Sequence, residues 1–239
     1  MMTRTLDYPA GYTVPSHFHD RDQLVYACRG VMTVRTRDGT WIVPTYRAVW
    51  IPAPVPHTIT MSGAVAMRSL YFRRRMVKSL PRECRVVNVS PLLKELILHA
   101  CRFPALNWRV QWQRHMLCVI VDQLQVIQME ALHLPNPTDP RALKVARILL
   151  SDPGERRPLT YLCKLVGASK RTIERLFQEE VGMSCGKWRQ QLRLMEAMRL
   201  LAEGAKVTRA ALDSGYSTPS AFIAMFRKVL GTTPKAYFR

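Results

Sequence analysis

The stretch SGYSTPSAFIAMFRKVLG, Ser214 to Gly231, decides the fold of the last hundred residues. Gly215 can turn the chain, and Ser217 or Thr218 then caps a helix that opens on Pro219. Phe222, Met225, Phe226 and Leu230 recur at three- and four-residue steps, which makes one face of that helix apolar. Upstream, Val207, Ala211 and Leu212 mark a short helix before the turn. Two helices around a glycine turn form a helix-turn-helix. The outward positions Pro219, Ser220, Ile223, Ala224 and Arg227 are mostly small or apolar. Such a face suits contact with thymine methyls or close approach of the backbone to phosphates, with Arg227 and Lys228 at its flank.

The same pattern stands earlier in PLTYLCKLVGASKRTIERLFQEEVG, Pro158 to Gly182. Thr160 is expected to cap a short helix, Gly167 to end it, and Ser169 to cap the next. Ile173, Leu176 and Phe177 face inward beside Leu162, Leu165 and Val166. Arg171, Glu174, Arg175 and Gln178 then share one polar stripe at i, i+3, i+4 and i+7, as a recognition helix requires. Arg reads guanine O6 and N7 in bidentate fashion, and Glu accepts from cytosine N4. Lys170 and Thr172, at the start of this helix, join the stripe as DNA-binding candidates. Between the two patterns, Ser184 caps a long helix with Trp188, Leu192, Leu194, Met195, Met198, Leu200 and Leu201 as apolar positions and Gly204 at its end.

Ala168-Ser169 with Leu176-Phe177, Gly182-Met183-Ser184, RLMEAMRLLAEG, SGYSTPSAFIAMFRKVLG and Thr233-Pro234-Lys235-Ala236-Tyr237 follow one another in order. This set resembles the DNA-binding domain of the AraC/XylS family of bacterial transcription regulators. The resemblance implies two helix-turn-helix units joined by a long helix, entering successive major-groove faces roughly 34 Å apart. Carried over by position, Arg171, Glu174 and Arg175 match the family's base-contacting positions in the first unit. In the second unit those positions fall on Pro219, Ser220 and Ala224, where family members often carry polar or basic residues.

Upstream of this domain, LPNPTDP holds three prolines in seven residues, so residues 134–140 are expected to be an extended linker before a DNA-binding domain at 141–239. Asp139 and Pro140 start a helix running to about Ser151. Residues 76–133 read as a helical connector. Ser90 and Pro91 open one helix, and Asn107 to Leu134 contains neither Gly nor Pro. There Leu117, Ile120, Leu124, Ile127 and Ala131 form an apolar stripe. Two readings of it are open: packing on the chain's own barrel, or the seam of a homodimer.

Residues 1–75 read as short strands and turns. Asp38-Gly39 between VMTVRTR and TWIV is a hairpin signal, and several such runs suggest a barrel or sandwich. The spacing Gly11, His17-Phe18-His19, Gln23, Gly30 fits the first sequence pattern of the cupin superfamily, with Gln where its metalloenzymes usually have Glu, and WIPAPVPHTI supplies His57. The expected fold class is therefore α+β: a cupin-like barrel with flanking helices, then an all-α domain of two helix-turn-helix units. His17, His19, Gln23 and His57 either line a metal-free effector pocket or form a divalent-metal site of three nitrogens and one oxygen. The pocket is the favoured reading and no cofactor is expected. A cupin metalloenzyme would explain the histidines but not the carboxy-terminal hundred residues.

The composition agrees with a nucleic-acid partner. The formal net charge is +19, with 19 Lys and Arg against 8 Asp and Glu from Pro140 onward and 17 against 9 before it. No apolar run approaches the length of a membrane span, and the N-terminus lacks the apolar core of a signal peptide. Six scattered cysteines without a CxxC pair fit reduced thiols in the cytoplasm. The expectation is a homodimeric, non-enzymatic transcription regulator binding double-stranded DNA and a small-molecule effector, with RNA polymerase as a further partner and no membrane association.

Overall fold

The computed structural model describes residues 1–45, 47–74, 76, 80–126 and 133–238. The chain divides into two compact units, Met1–His133 and Leu134–Arg239.

The first unit is built on one antiparallel sheet. Its strands are β1 (Met2–Tyr8), β2 (Thr13–His17), β3 (Asp22–Arg35), β4 (Gly39–Val43), β5 (Arg47–Ile51), β6 (His57–Phe72) and β7 (Arg85–Asn88); β8 (His133–Pro135) lies at the junction of the units. β6 runs between β1 and β3 and also pairs with β2, while β5 joins β3 to β7. The sheet does not close, so the expected barrel is an open sheet. Two strands are also far longer than the short runs expected, β3 with 14 residues and β6 with 16. They stay continuous through bulges: the β3–β6 register shifts between Ala27 and Arg29 and again between Arg29 and Val31. Gly30 sits there with φ +79°, and a Cβ on it would lie 2.5 Å from the Ala64 carbonyl oxygen, so only glycine fits. The hairpin signal holds with a one-residue correction. Arg35 pairs with Thr40 and Thr36 N–H donates to Gly39 O, so Arg37-Asp38 forms the turn and Gly39 begins β4.

Alternation along the strands makes two faces. One buries Val25, Ala27, Met32, Val34, Val49, Ile51, Ile59 and Met67 among themselves. The other buries Leu24, Tyr26, Trp50, Leu70 and Phe72 under α1 (Pro91–Ala100) and α2 (Gln111–Val126). α1 starts as expected, with Ser90 Oγ accepting from Leu93 N–H at 3.1 Å. α2 starts four residues later than Asn107, whose side chain accepts from Arg109 N–H and draws that segment into a turn. Leu117, Ile120 and Leu124 are fully buried against the sheet, at about 1.5–3 kcal/mol each. The stripe is therefore core; Ile127 and Ala131 lie outside the described residues.

The second unit is α3 (Pro140–Ser151), α4 (Leu159–Leu165), α5 (Lys170–Val181), α6 (Cys185–Ala202), α7 (Val207–Asp213), α8 (Pro219–Leu230) and α9 (Pro234–Tyr237). Capping sets most boundaries: Asp139, Ser169, Ser184, Thr218 and Thr233 each accept from a first-turn amide. α4 departs from expectation, because Pro158 occupies its N-cap position and Thr160 lies inside the helix. Leu165 and Leu212, expected inside, are 48 % and 39 % exposed; Leu162 with Cys163, and Ala210 with Ala211, fill the corners instead. Segment 134–140 is no free spacer. Leu134 and Pro137 are buried, Trp188 Nε1–H donates to Pro135 O at 2.9 Å, and Glu180 Oε2 accepts from the amides of Thr138 and Asp139 at 2.7 and 3.0 Å.

Candidate nucleic-acid interface and sensor site

α5 is held from beneath and turns a polar face outward. Ile173 and Phe177 are fully buried and Leu176 nearly so, Ser169 caps the start, and Gly182 ends the helix in the left-handed region at φ 75°. That leaves Lys170, Arg171, Arg175 and Gln178 exposed on one side. Arg171 forms no ion pair among the described residues, while Arg175 Nη1 meets Glu179 Oε2 at 2.6 Å, both about half exposed. An exposed pair of this kind contributes little and yields readily to a phosphate or base. The other two candidates are engaged within the fold. Thr172 Oγ1 lies 2.8 Å from the capping Ser169 Oγ, and Glu174 Oε2 accepts from Cys185 N–H at 3.0 Å, tying α5 to the start of α6.

α8 is anchored the same way by Phe222 and Phe226, both fully buried. Ser220, Ile223, Ala224, Arg227 and Lys228 line a shallow depression on its outer side, with Pro219 half-buried at the first position. The small, apolar character seen in the sequence is thus an exposed surface.

A bracket that sequence reasoning missed joins the two helix-turn-helix units. The α3–α4 loop offers the carbonyl of Glu155 to Arg193 Nη2 at 2.6 Å and to Arg189, whose Nη1 also donates to Arg157 O at 2.9 Å. The Glu155 carboxylate accepts from Arg157 N–H and Nε–H at 2.8 and 2.7 Å, and these bonds hold its pKa down at about 2. On the far side, Arg156 Nη2 donates to Leu212 O at 3.3 Å. A Cβ on Gly154 would meet Asp213 O at 2.5 Å, and one on Gly215 would meet Arg193 Nε at 2.8 Å. The only sequence trace is a pair of arginines, Arg189 and Arg193, facing one way on a mostly apolar helix.

In the first unit, the structure brings His17, His19 and His57 together, with one ring nitrogen of each within 4.8 Å of the others. His17 and His57 are cross-strand partners on β2 and β6, with ring centroids 4.3 Å apart. His17 Nδ1 lies 2.7 Å from Pro15 O and His57 Nδ1 2.9 Å from Val55 O. A carbonyl only accepts, so both rings carry a proton on Nδ1 and turn Nε2 away from the backbone. His19 Nε2 and His57 Nε2 are buried without a hydrogen-bond partner among the described residues. Burial first, then the neighbouring histidines, lowers the His57 pKa to about 4, and burial also lowers that of His19, so both are neutral near pH 7. Gln23 is connected to this cluster through Tyr71. Its Nε2 donates to Ser69 Oγ at 3.2 Å and Tyr71 Oη at 3.0 Å, and its Oε1 is unpartnered. Tyr71 in turn packs edge-on against His19. The donor set of three imidazoles fits a divalent transition metal, and equally the polar wall of an organic-ligand site. Held Nδ1–H groups with free Nε2 lone pairs are how proteins orient metal-binding histidines.

No helix among the described residues is long and apolar enough to cross a membrane. Residues 2–125 match the family model of the AraC-like ligand binding domain and residues 162–239 that of a helix-turn-helix domain. The chain is 32 % identical over 225 residues to the HTH-type transcriptional regulator NimR of Escherichia coli (strain K12), covering 94 % of this chain and 82 % of that one. It is 24 % identical to the virulence regulon transcriptional activator VirF of Yersinia enterocolitica, covering 90 % and 79 %. Among solved structures, ToxT of Vibrio cholerae with an unsaturated fatty acid bound aligns over 99 % of this chain and 94 % of its own, at 12 % identity and a TM-score of 0.41. A ligand-binding domain of this kind, followed by two helix-turn-helix units, places the chain in the AraC family of DNA-binding transcription regulators.

Proposed function

We propose that α5 supplies the sequence-specific contacts of this regulator, with Arg171 and Arg175 as base readers and Lys170 and Gln178 beside them. The observation that carries this is the exposed polar stripe on a helix fixed by a cap, a buried face and the Glu174–Cys185 bond. α8 docks through Ser220, Ala224, Arg227 and Lys228, which favours methyl and phosphate contacts over hydrogen-bonded base readout. Fluorescence anisotropy on a selected duplex tests the assignment. Affinity is expected to fall steeply with salt, because counterions are released. Loss of Arg175 should weaken the selected site far more than random duplex, and equal weakening on both would refute base reading.

The first unit senses a small-molecule effector at His17, His19, Gln23 and His57, and so acts as a receptor rather than an enzyme. The protein works in the cytoplasm as a homodimer that engages RNA polymerase. With Leu117, Ile120 and Leu124 spent on the core, the dimer face on α2 is the opposite side, where Trp112 and Val119 are exposed.

A second reading is that the sensed species is a divalent metal, or is held by one. The convergent, unpartnered Nε2 atoms of His19 and His57 favour it. Dialysis against Zn(II) or Ni(II), then metal analysis, decides between the two readings. About one ion per chain, lost in a His17→Ala/His57→Ala variant, supports the metal; none in either supports the organic pocket.

A further inference from the structure

On the sheet face opposite the histidines, the first unit opens a second cleft of about 1160 Å³. The two sites are separate by strand alternation. Gln23, Ser69 and Tyr71 point to the histidine side, whereas Leu24, Leu70 and Phe72 point to the helical side, where Leu106 and Leu117 floor this cleft. Its volume accommodates a small organic ligand.

The chemistry of the walls is specific. Arg21, Arg73, Arg74 and Arg109 reach the cleft from three separate stretches of chain, with Asp122 the single acidic residue among the described lining. Among the described residues Arg73, Arg74 and Arg109 form no ion pair. Arg74 makes one bond, to Ala53 O at 3.4 Å, and Arg21 meets only the solvent-exposed Asp20, at 3.9 Å. Met1 also lines the cleft, and burial first, then the charges of Arg21 and Arg73, lowers the pKa of its amine. Below the guanidinium groups the surface is apolar: Leu117 is 1 % exposed, Met76 and Val121 are half-buried, and Trp108 stands half-exposed at the rim.

Unpaired guanidinium groups grouped over an apolar floor are complementary to one ligand class, an anion with a hydrophobic body. A planar carboxylate matches the guanidinium fork, and an aromatic or aliphatic body replaces water over Leu117 and beside Trp108. We propose that this cleft, between the start of β1, the 105–109 turn and α2, binds an organic carboxylate with an apolar body, independently of the histidine site.

The test is isothermal titration of the full chain with 2-naphthoate and octanoate. The uncharged 2-naphthamide serves as control, and R73Q/R109Q and H17A/H57A as variants. Arg73 and Arg109 are both exposed, so the melting temperature of the first variant should match that of the unaltered chain. We expect saturable binding of one acid per chain, weakened about tenfold or more by R73Q/R109Q, as loss of charge-assisted bonds dictates, and unchanged in H17A/H57A. Absence of saturable binding by either acid, equal affinity for acid and amide, or loss of binding in H17A/H57A alone would overturn the proposal. DNA affinity measured on the same samples keeps this result distinct from the assignment of α5.

Discussion

Gly154→Ala is the sharpest test of the bracket between the helix-turn-helix units. The added Cβ would lie 2.5 Å from the Asp213 carbonyl oxygen and 3.3 Å from Asp152 Oδ1. The nearer atom is backbone at the end of α7, so it cannot swing aside as a side chain would. Either the loop withdraws from α7 or α7 shifts. Withdrawal loosens the Glu155 carbonyl from Arg189 and Arg193, two bonds to charged donors. Overpacking of this kind costs about 1–3 kcal/mol and a charge-assisted bond about 1.5–3 kcal/mol, so partial relaxation gives about 2–4 kcal/mol. For a unit of about a hundred residues that lowers the melting temperature by about 10–20 °C. Gly186→Ala is the matched control: in the first turn of α6 its Cβ would meet only Ser184 Oγ, at 3.9 Å, and alanine favours the helix by up to about 1 kcal/mol. Differential scanning calorimetry of the full chain compares the two. Equal, near-neutral effects of both substitutions would refute the close packing of this loop on α7.

Three other outcomes are expected. Because Glu155 has its pKa depressed by Arg157 in the folded chain, it contributes stability above its unfolded pKa, and that contribution is lost as pH falls from about 4.5 toward 2; urea midpoints of Glu155→Gln and the unaltered chain should converge at the low end of that range, and a constant gap would contradict the ion pair. Arg175→Ala should lose about 1–3 kcal/mol of discrimination at one base position in competition binding, with little change on random duplex. Ala224→Lys adds a charge to the apolar face of α8, so it should steepen the salt dependence and raise affinity for all duplexes alike; a new base preference would contradict the reading of that face.

The helical unit was legible because its boundaries are chemical. Asp139, Ser169, Ser184 and Thr218 each sit where a side-chain oxygen meets a first-turn amide, a signal carried by residue type and spacing alone. The histidine cluster was legible in part: the His17-x-His19 spacing drew attention to the pair, but β2 ends at His17, so His19 reaches the cluster from just beyond the strand and not by strand alternation. What stayed hidden depends on contacts between distant stretches. The apolar stripe of α2 reads identically whether it meets its own sheet or another chain, and only the packing of Leu117, Ile120 and Leu124 on Leu70 and Phe72 decides. The prolines of 134–140 suggested a spacer, yet Trp188 and Glu180, some 40 to 50 residues downstream, dock it. Glu174 looked like a base reader because one polar stripe contains it, but its carboxylate turns to the α6 amide. The arginines of the second cleft, from residues 21, 73–74 and 109, share no pattern along the chain at all.

The most direct test of the central claim is in vitro selection of duplex DNA from a random library by the full chain, beside Arg171→Ala/Arg175→Ala. The account predicts an enriched motif for the unaltered chain, with information concentrated in the segment facing α5 and lost from that segment in the variant. No enrichment, or the same motif from both proteins, would contradict α5 as the reading helix.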